Sequence, residues 1–374
     1  MNRSAYSVNT PTSRFPSSHS STICELPNGD LYCVWFSGSV EGAPDTAILG
    51  SRFDRRAEKW SEPEILVDVP DHAAGNPRVF MGPSGDLWIL FAINYGVWCH
   101  GGSRLFLKRS ADGGRTWSDM SIFWDEWGVL GKNKPLQLSS RSEVWIIPVE
   151  WEDDYVCAFF RSEDSGASWA LTEAIGARAN VRVDQPTVVE LDQSGSLLAY
   201  MRSWEGYIYQ SRSEDAGATW PEPSPTDLVN NNSGIDMVRL QSGALLLAHN
   251  PTALGEDGTY IVDQELKSDP ALQITPSEFA KDKNHYRQTV SRIAELFPSW
   301  GPRTPLRLSI SLDGGSSWKT VCDLEDQEGE WSYPAIIETS SGDVCITYTA
   351  NRKQIKHVIL PPGSIGESTE APMM

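Results

Sequence analysis

The chain has no long apolar run, little basic charge and no ordered cysteine spacing, and each lack removes a class of function. No stretch of its 374 residues approaches the ~20 apolar residues a membrane-spanning helix needs, so no membrane partner is expected. Lysine and arginine number 31 against 50 aspartates and glutamates, a net charge of -19 that would repel nucleic acid. Six cysteines (Cys24, Cys33, Cys99, Cys157, Cys322, Cys345) show no CxxC spacing and mostly lie inside apolar runs, as reduced, packed thiols do. No structural metal or cofactor is therefore expected. The opening stretch MNRSAYSVNTPTSRFPSSHSS lacks the apolar segment of a secretory signal, which sets the expectation of a cytoplasmic protein.

What the chain does have is repetition. SADGGRTW at 110–117 returns as SEDSGASW at 162–169, SEDAGATW at 213–220 and SLDGGSSW at 311–318, the pattern Ser-x-Asp-x-Gly-x-[Ser/Thr]-Trp. A looser relative, SRFDRRAEKW, stands at 51–60. Between the boxes runs a second signal, a tight turn followed by an apolar strand: NGDLYCVWF (28–36), SGDLWILF (84–91), SSRSEVWIIPV (139–149), SGSLLAYM (194–201), SGALLLAH (242–249) and SGDVCITY (341–348). Six such runs, rich in β-branched and aromatic residues, predict antiparallel hairpins. The box aspartates at 112, 164 and 215 are spaced by about the length of one four-stranded propeller blade. The predicted fold is all-β, one domain over residues 1–374, a six-bladed propeller of four-stranded antiparallel blades. The longer step from 215 to 313 places an insertion at about 255–301, where SEFAKDKNHYRQTVSRIAELF has helical spacing of Phe279, Val290, Ile293 and Leu296. It reads equally as a helix capping one blade or as a lid beside the pocket.

Boxes, hairpins and the stretch RFPSSHSSTICELPNGDLYCVWFSG together resemble the sialidase superfamily, in particular sialidase-like proteins with Asp-box repeats, over about residues 10–360. The resemblance implies that the boxes are scaffold in outer turns, remote from the pocket. It also implies an arginine triad that grips a carboxylate, a tyrosine nucleophile paired with a glutamate, and an acid near the first blade. Arg14, in Arg14-Phe15-Pro16, matches the family's Arg-Ile-Pro start; Arg202 ends LLAYMR, and Arg303 stands eight residues before the box serine Ser311. Three guanidiniums on one anion give planar, charge-assisted contacts that lysine cannot duplicate. Tyr333, in WSYPAIIE, matches the nucleophile. A phenol titrates near ~10 and needs an activating partner. At that partner's position, in DQPTVVEL (184–191), the chain carries Gln185, an amide that can hydrogen-bond but cannot take a proton. Strand alternation would turn Asp184 away from the side of Gln185.

Glu41 and Asp45 lie in the region of the family's acid loop, and His19 begins an inner strand. Lys132, Lys134, Asn232 and Asp236 begin two other inner strands and are expected to line the same central depression. Three functions fit. The first is an enzyme acting on a carboxylate-bearing sugar, by glycoside cleavage or by β-elimination with His19 or Tyr333 as base. The second is an intracellular propeller recruited as a cyclase, of hetero-Diels-Alder type, in natural-product biosynthesis, with an apolar pocket. The third is a non-catalytic glycan-binding propeller. In each the partner is a small molecule or sugar in the central pocket.

Overall fold

The computed structural model describes residues 3–95, 102–151, 154–253 and 303–365. They form six antiparallel sheets, each built from consecutive strands except the last, which borrows its outer strand from the N-terminus. Blade one has its inner strand at Ser17–Glu25, blade two at Ala73–Met81, blade four at Val183–Glu190, blade five at Asp236–Arg239 and blade six at Trp331–Glu338. In blade three that strand is split into Val129–Leu130 and Leu136–Gln137. Ser4–Ser7 pairs with Gln354–Leu360 and closes the ring, Tyr6 opposite His357. The expected insertion at 255–301 lies outside the described residues. Among the described residues no helix is long and apolar enough to cross a membrane.

The hairpin runs become the second strands, and a left-handed glycine makes the turn before most of them. Gly29, Gly85, Gly195, Gly243 and Gly342 have φ between 77° and 91°, a conformation glycine adopts without steric cost. The core consists of six buried clusters, one at each blade-to-blade interface. Trp35 and Cys345 seal blade one against blade six, and Tyr200 and Leu247 seal four against five.

The boxes occupy the turns from third to fourth strand. In each, the aspartate accepts the backbone N–H and the hydroxyl of the Ser or Thr four residues on, at 2.9 and 2.6 Å for Asp164 with Ser168. The box serine donates to the aspartate and accepts the N–H of the box glycine, as Ser162 does from Gly166 at 2.8 Å. The tryptophan then reaches the preceding blade: Trp117 meets Tyr32, Trp169 meets Phe123, Trp220 stacks on Phe159 at 4.0 Å, and Trp318 donates to the Tyr200 hydroxyl. The box is thus a turn cap and an inter-blade clasp in one motif.

Candidate active site

At the opposite end of the ring from the boxes lie the starts of the inner strands and the turns from second to third strand. The inner strands do not run straight there. Pairing slips between His19 and Thr22, Gly75 and Arg78, Asp184 and Thr187, and Ser332 and Ala335. Within each slip one residue, Ser20, Asn76, Gln185 or Tyr333, has φ of 55°, 46°, 48° or 51°. Such bulges re-aim a side chain and break the period of two. Proline follows three of them, at 77, 186 and 334, where no ladder N–H is needed. Left-handed non-glycine residues are costly and collect at functional sites.

The pocket so formed is lined by Glu41, Glu150, Tyr155, Asp184, Gln185, Arg202, Trp204, Asn232, Arg303, Tyr333 and Arg352, with Asn76 and Leu130. Tyr333 is its centre. The Arg202 guanidinium donates to the Tyr333 hydroxyl at 3.0 Å and to the Asn232 carbonyl at 3.0 Å. The guanidinium carbons of Arg202 and Arg303 each lie 5.5 Å from the Tyr333 ring centre. Arg303, 2% exposed, pairs with Glu330 at 3.0 Å. Arg352 donates to both oxygens of Glu330, at 2.9 and 3.0 Å, and to Glu41. Burial opposes charge on Arg303, lowering its pKa, whereas at Arg352 the carboxylates of Glu41 and Glu330 outweigh burial and raise it.

The arginines gathered in this pocket therefore differ from the trio expected from the sequence. Arg14 is not among them: its side chain is 55% exposed, pairs with Asp68 and lies over Phe15, beside a separate groove at the edge of blade one. Arg352 sits in the pocket instead. It occupies the tight turn after the second strand of blade six, Val344–Ala350, a place to which neither the inner-strand rule nor the family's arginine motifs point. That second-to-third turns share the pocket end was the signal that could have found it. The same rule explains Trp204, in the corresponding turn of blade four, and Glu150, near the end of the second strand of blade three.

Other expectations are corrected too. Asp45 is exposed and bonds to Ser39, holding the turn that carries Glu41. His19 is fully buried, its ring 4.2 Å from that of Tyr333, and it is not part of the pocket lining. Burial, with Arg352, Arg303, Lys132 and Arg202 nearby, drives its pKa well down, so it packs as a neutral ring. Lys132, Lys134 and Asp236 are not among the residues that line this pocket; they tie blades together. Asp236 accepts Lys134 at 2.8 Å, Thr187 at 2.8 Å and the Ile336 N–H at 2.9 Å, joining blades three, four and six to five. Lys132 donates to the Pro334 carbonyl, and burial brings its pKa down to about 7. Gln185 donates to the Tyr333 hydroxyl at 3.4 Å, and it sits at the bulge, so Asp184 is not turned away: both line the pocket.

The missed carboxyl, Glu150, is 3% exposed and accepts the Gln185 backbone N–H. Burial first, and the charge of Asp184 second, push its pKa up to about 8. Asp184 accepts the Trp204 indole N–H at 3.2 Å and lies 3.8 Å from Arg202. Among the described residues no group of three or more His, Cys, Asp or Glu side chains could hold a metal ion.

The family model for the BNR repeat-like domain matches residues 29–346. The chain belongs to this family. The matched span includes all four boxes described above. No curated protein sequence matches it. Among solved structures, it is similar to the Hadza microbial sialidase Hz136, at 18% identity and a TM-score of 0.70, covering 96% of this chain and 68% of that one. A protein of unknown function from Dyadobacter fermentans matches at 13% identity and a TM-score of 0.68, covering 96% and 99% of the two chains. The NanB sialidase from Streptococcus pneumoniae matches at 11% and 0.68, covering 96% and 70%. At these identities the likeness is one of fold.

Proposed function

We propose that this BNR repeat-like protein is a sialidase-like enzyme acting on a carboxylate-bearing sugar, with Arg202, Arg303 and Arg352 as the anion clamp and Tyr333 at the reacting centre. The observation that carries this reading is the gathering of three arginines from blades four, five and six around one tyrosine. A carboxylate entering there meets guanidinium donors that are already held in place, so little ordering remains for the ligand to drive. Tyr333 would face the anomeric carbon and stabilise the positive charge that grows as the glycosidic bond breaks. When the ligand's carboxylate takes its place at Arg352, Glu41, on the loop of blade one, would be free to take up a proton from solvent and pass it to the leaving oxygen.

The pocket's lining supports hydrolysis over the cyclase reading, because Arg202, Arg303 and Arg352 stand with Glu41, Glu150 and Asp184 in one cavity beside its apolar walls. Gln185 at the partner position favours slow cleavage, or β-elimination, in which no nucleophile partner is needed. The test is turnover of an aryl sialoside. We expect very slow hydrolysis by the natural chain and a gain of about 10²-fold for Gln185→Glu, the low end of general-base help, since the new carboxylate would stand beside Asp184 and Glu150. If neither form cleaves the sialoside and an unsaturated sialic acid analogue does not bind, the reading fails.

A further inference from the structure

A second cavity adjoins the candidate active site. The two share Glu41, Asn76 and Leu130, and beyond that border the wall is made largely of Phe36, Ala73, Ala74, Gly75 and Ala92, from blades one and two. The chemistry changes across the border. The first cavity holds three arginines; among the described residues that line the second there is no lysine, arginine or histidine, and its one carboxyl, Glu41, is held by Arg352. Small side chains make the room. Gly75 pairs with Ala92 across the ladder, and a Cβ added at Gly75 would meet nothing within 4 Å. Its backbone is not left-handed, so the conformation itself does not call for glycine. A glycine inside a strand weakens the strand and often marks a place where a ligand comes close.

We propose that this cavity is a leaving-group subsite, so that the substrate carries a compact, uncharged and largely apolar group on the oxygen that departs. The proposal rests on the reading above, in which the arginines hold the carboxylate and Glu41 serves the leaving oxygen. Glu41 lines both cavities. With the carboxylate at the arginines and the scissile oxygen beside Glu41, whatever that oxygen carries continues into the second cavity. An apolar group gains there by leaving water. An anionic group would lose its hydration and find no cation among the described lining residues, and a second sugar would bring more hydroxyls than such walls can satisfy. Thr46, Asn76 and Asn94 supply the few polar contacts that fix orientation in a pocket of this kind.

The experiment uses probes that cannot be cleaved: the unsaturated 2-deoxy analogue of N-acetylneuraminic acid, which has no leaving group, and the methyl and benzyl 2-thio-α-sialosides, which keep one on sulfur. Calorimetric titration of the natural chain and of Gly75→Val reads their affinities. For the natural chain we expect the benzyl probe to bind at least ~10-fold tighter than the methyl, since a single buried methylene is already worth roughly fourfold. Gly75→Val fills the open space and should remove that advantage, while the methyl probe and the unsaturated analogue bind as before. Equal affinity of the two thiosialosides for the natural chain would overturn the subsite and leave the clamp standing. So would an advantage that Gly75→Val leaves intact. Weaker binding of the unsaturated analogue by Gly75→Val would also overturn it, because a substituent of the sugar ring, not the leaving group, would then occupy the cavity. Binding of none of the probes by the natural chain would overturn the clamp reading and the subsite with it. Should Gly75→Val fail to fold, Gly75→Ala takes its place: one carbon in open space should narrow the benzyl advantage, and an unchanged advantage would overturn the subsite.

Discussion

The two ends of this propeller are built from the same six blades by opposite rules. At the box end four turns carry the same bonds, and the box serine and aspartate find partners within the turn. At the pocket end four inner strands share a bulge, but each aims a different side chain, and polar atoms are left over: the Arg202 and Arg303 Nε, the Gln185 and Asn232 amide oxygens, and both nitrogens of His19. Burying unpaired polar atoms is costly. Repetition marks what every blade needs in order to pack, and its breakdown marks where the chain is shaped for something outside itself.

The largest expected effect breaks the box end. Trp220 stacks on Phe159 of the preceding blade and is 6% exposed. Trp220→Ala should cost ~3–5 kcal/mol of stability, as large aromatic truncations in cores do. Chemical denaturation reads this loss. The affinity of whatever remains folded for a carboxylate probe should stay as it was, because that ring belongs to the box end and does not line the pocket.

At the pocket end the matching substitution is Arg303→Ala. Truncating one member of a buried, hydrogen-bonded charge pair typically costs ~2–5 kcal/mol of binding, and we expect that loss in calorimetry with the unsaturated sialic acid analogue. Arg14→Ala, the arginine that the family motif favours, should change neither affinity nor stability by more than ~0.5 kcal/mol, the usual bound for an exposed side chain. A large effect at Arg14 would restore it to the clamp.

The difference between the ends also explains what could be read in the letters. The blade count, the boxes and the six hairpins were legible because each rests on local chemistry repeated at a fixed interval: a glycine for a left-handed turn, an aspartate to cap it, a tryptophan to reach the next blade. Tyr333, Gln185, Arg202, Arg303, Asn232 and Glu41 were found by adding family resemblance to the rule that inner strands begin at the depression. Arg352 and Glu150 were not, since nothing local marks an arginine in a tight turn or a glutamate near a strand end as neighbours of residues 22 to 311 positions away. Asp184 was misjudged for a different reason. Period-two alternation holds only while the ladder is regular, and the bulge at Gln185 breaks it.

The ends should further differ in the sign of their pH dependence. Glu150 is the pocket case. Its folded pKa, about 8, lies above the ~4.3 of an unfolded glutamate. The folded state therefore binds the extra proton, and the stabilisation is complete below ~4.3 and lost as pH rises through about 8. Melting temperature across that window should fall in the natural chain and fall less in Glu150→Gln. Identical slopes would mean that Glu150 is ionised in the empty protein.

Asp164 is the box case, and its effect should be the smallest because the group is exposed to solvent. The Ser168 hydroxyl first, then the Ser168 N–H and the Ser162 hydroxyl, hold its pKa down to about 2, below the ~3.9 of an unfolded aspartate. The sign is reversed: the contribution is present above ~3.9 and disappears as pH falls through about 2. Asp313 repeats the arrangement with Ser317 and Ser311, also at about 2. Asp164→Asn should thus lower the melting temperature modestly at pH 6, and the gap between variant and natural chain should close as the pH approaches 2. An amide still offers one oxygen to the two donors of Ser168, so what is lost at pH 6 is the charge of the cap and the second acceptor. A gap that persists unchanged at pH 2 would mean that the cap works by shape alone, and the box end would then owe nothing to ionisation.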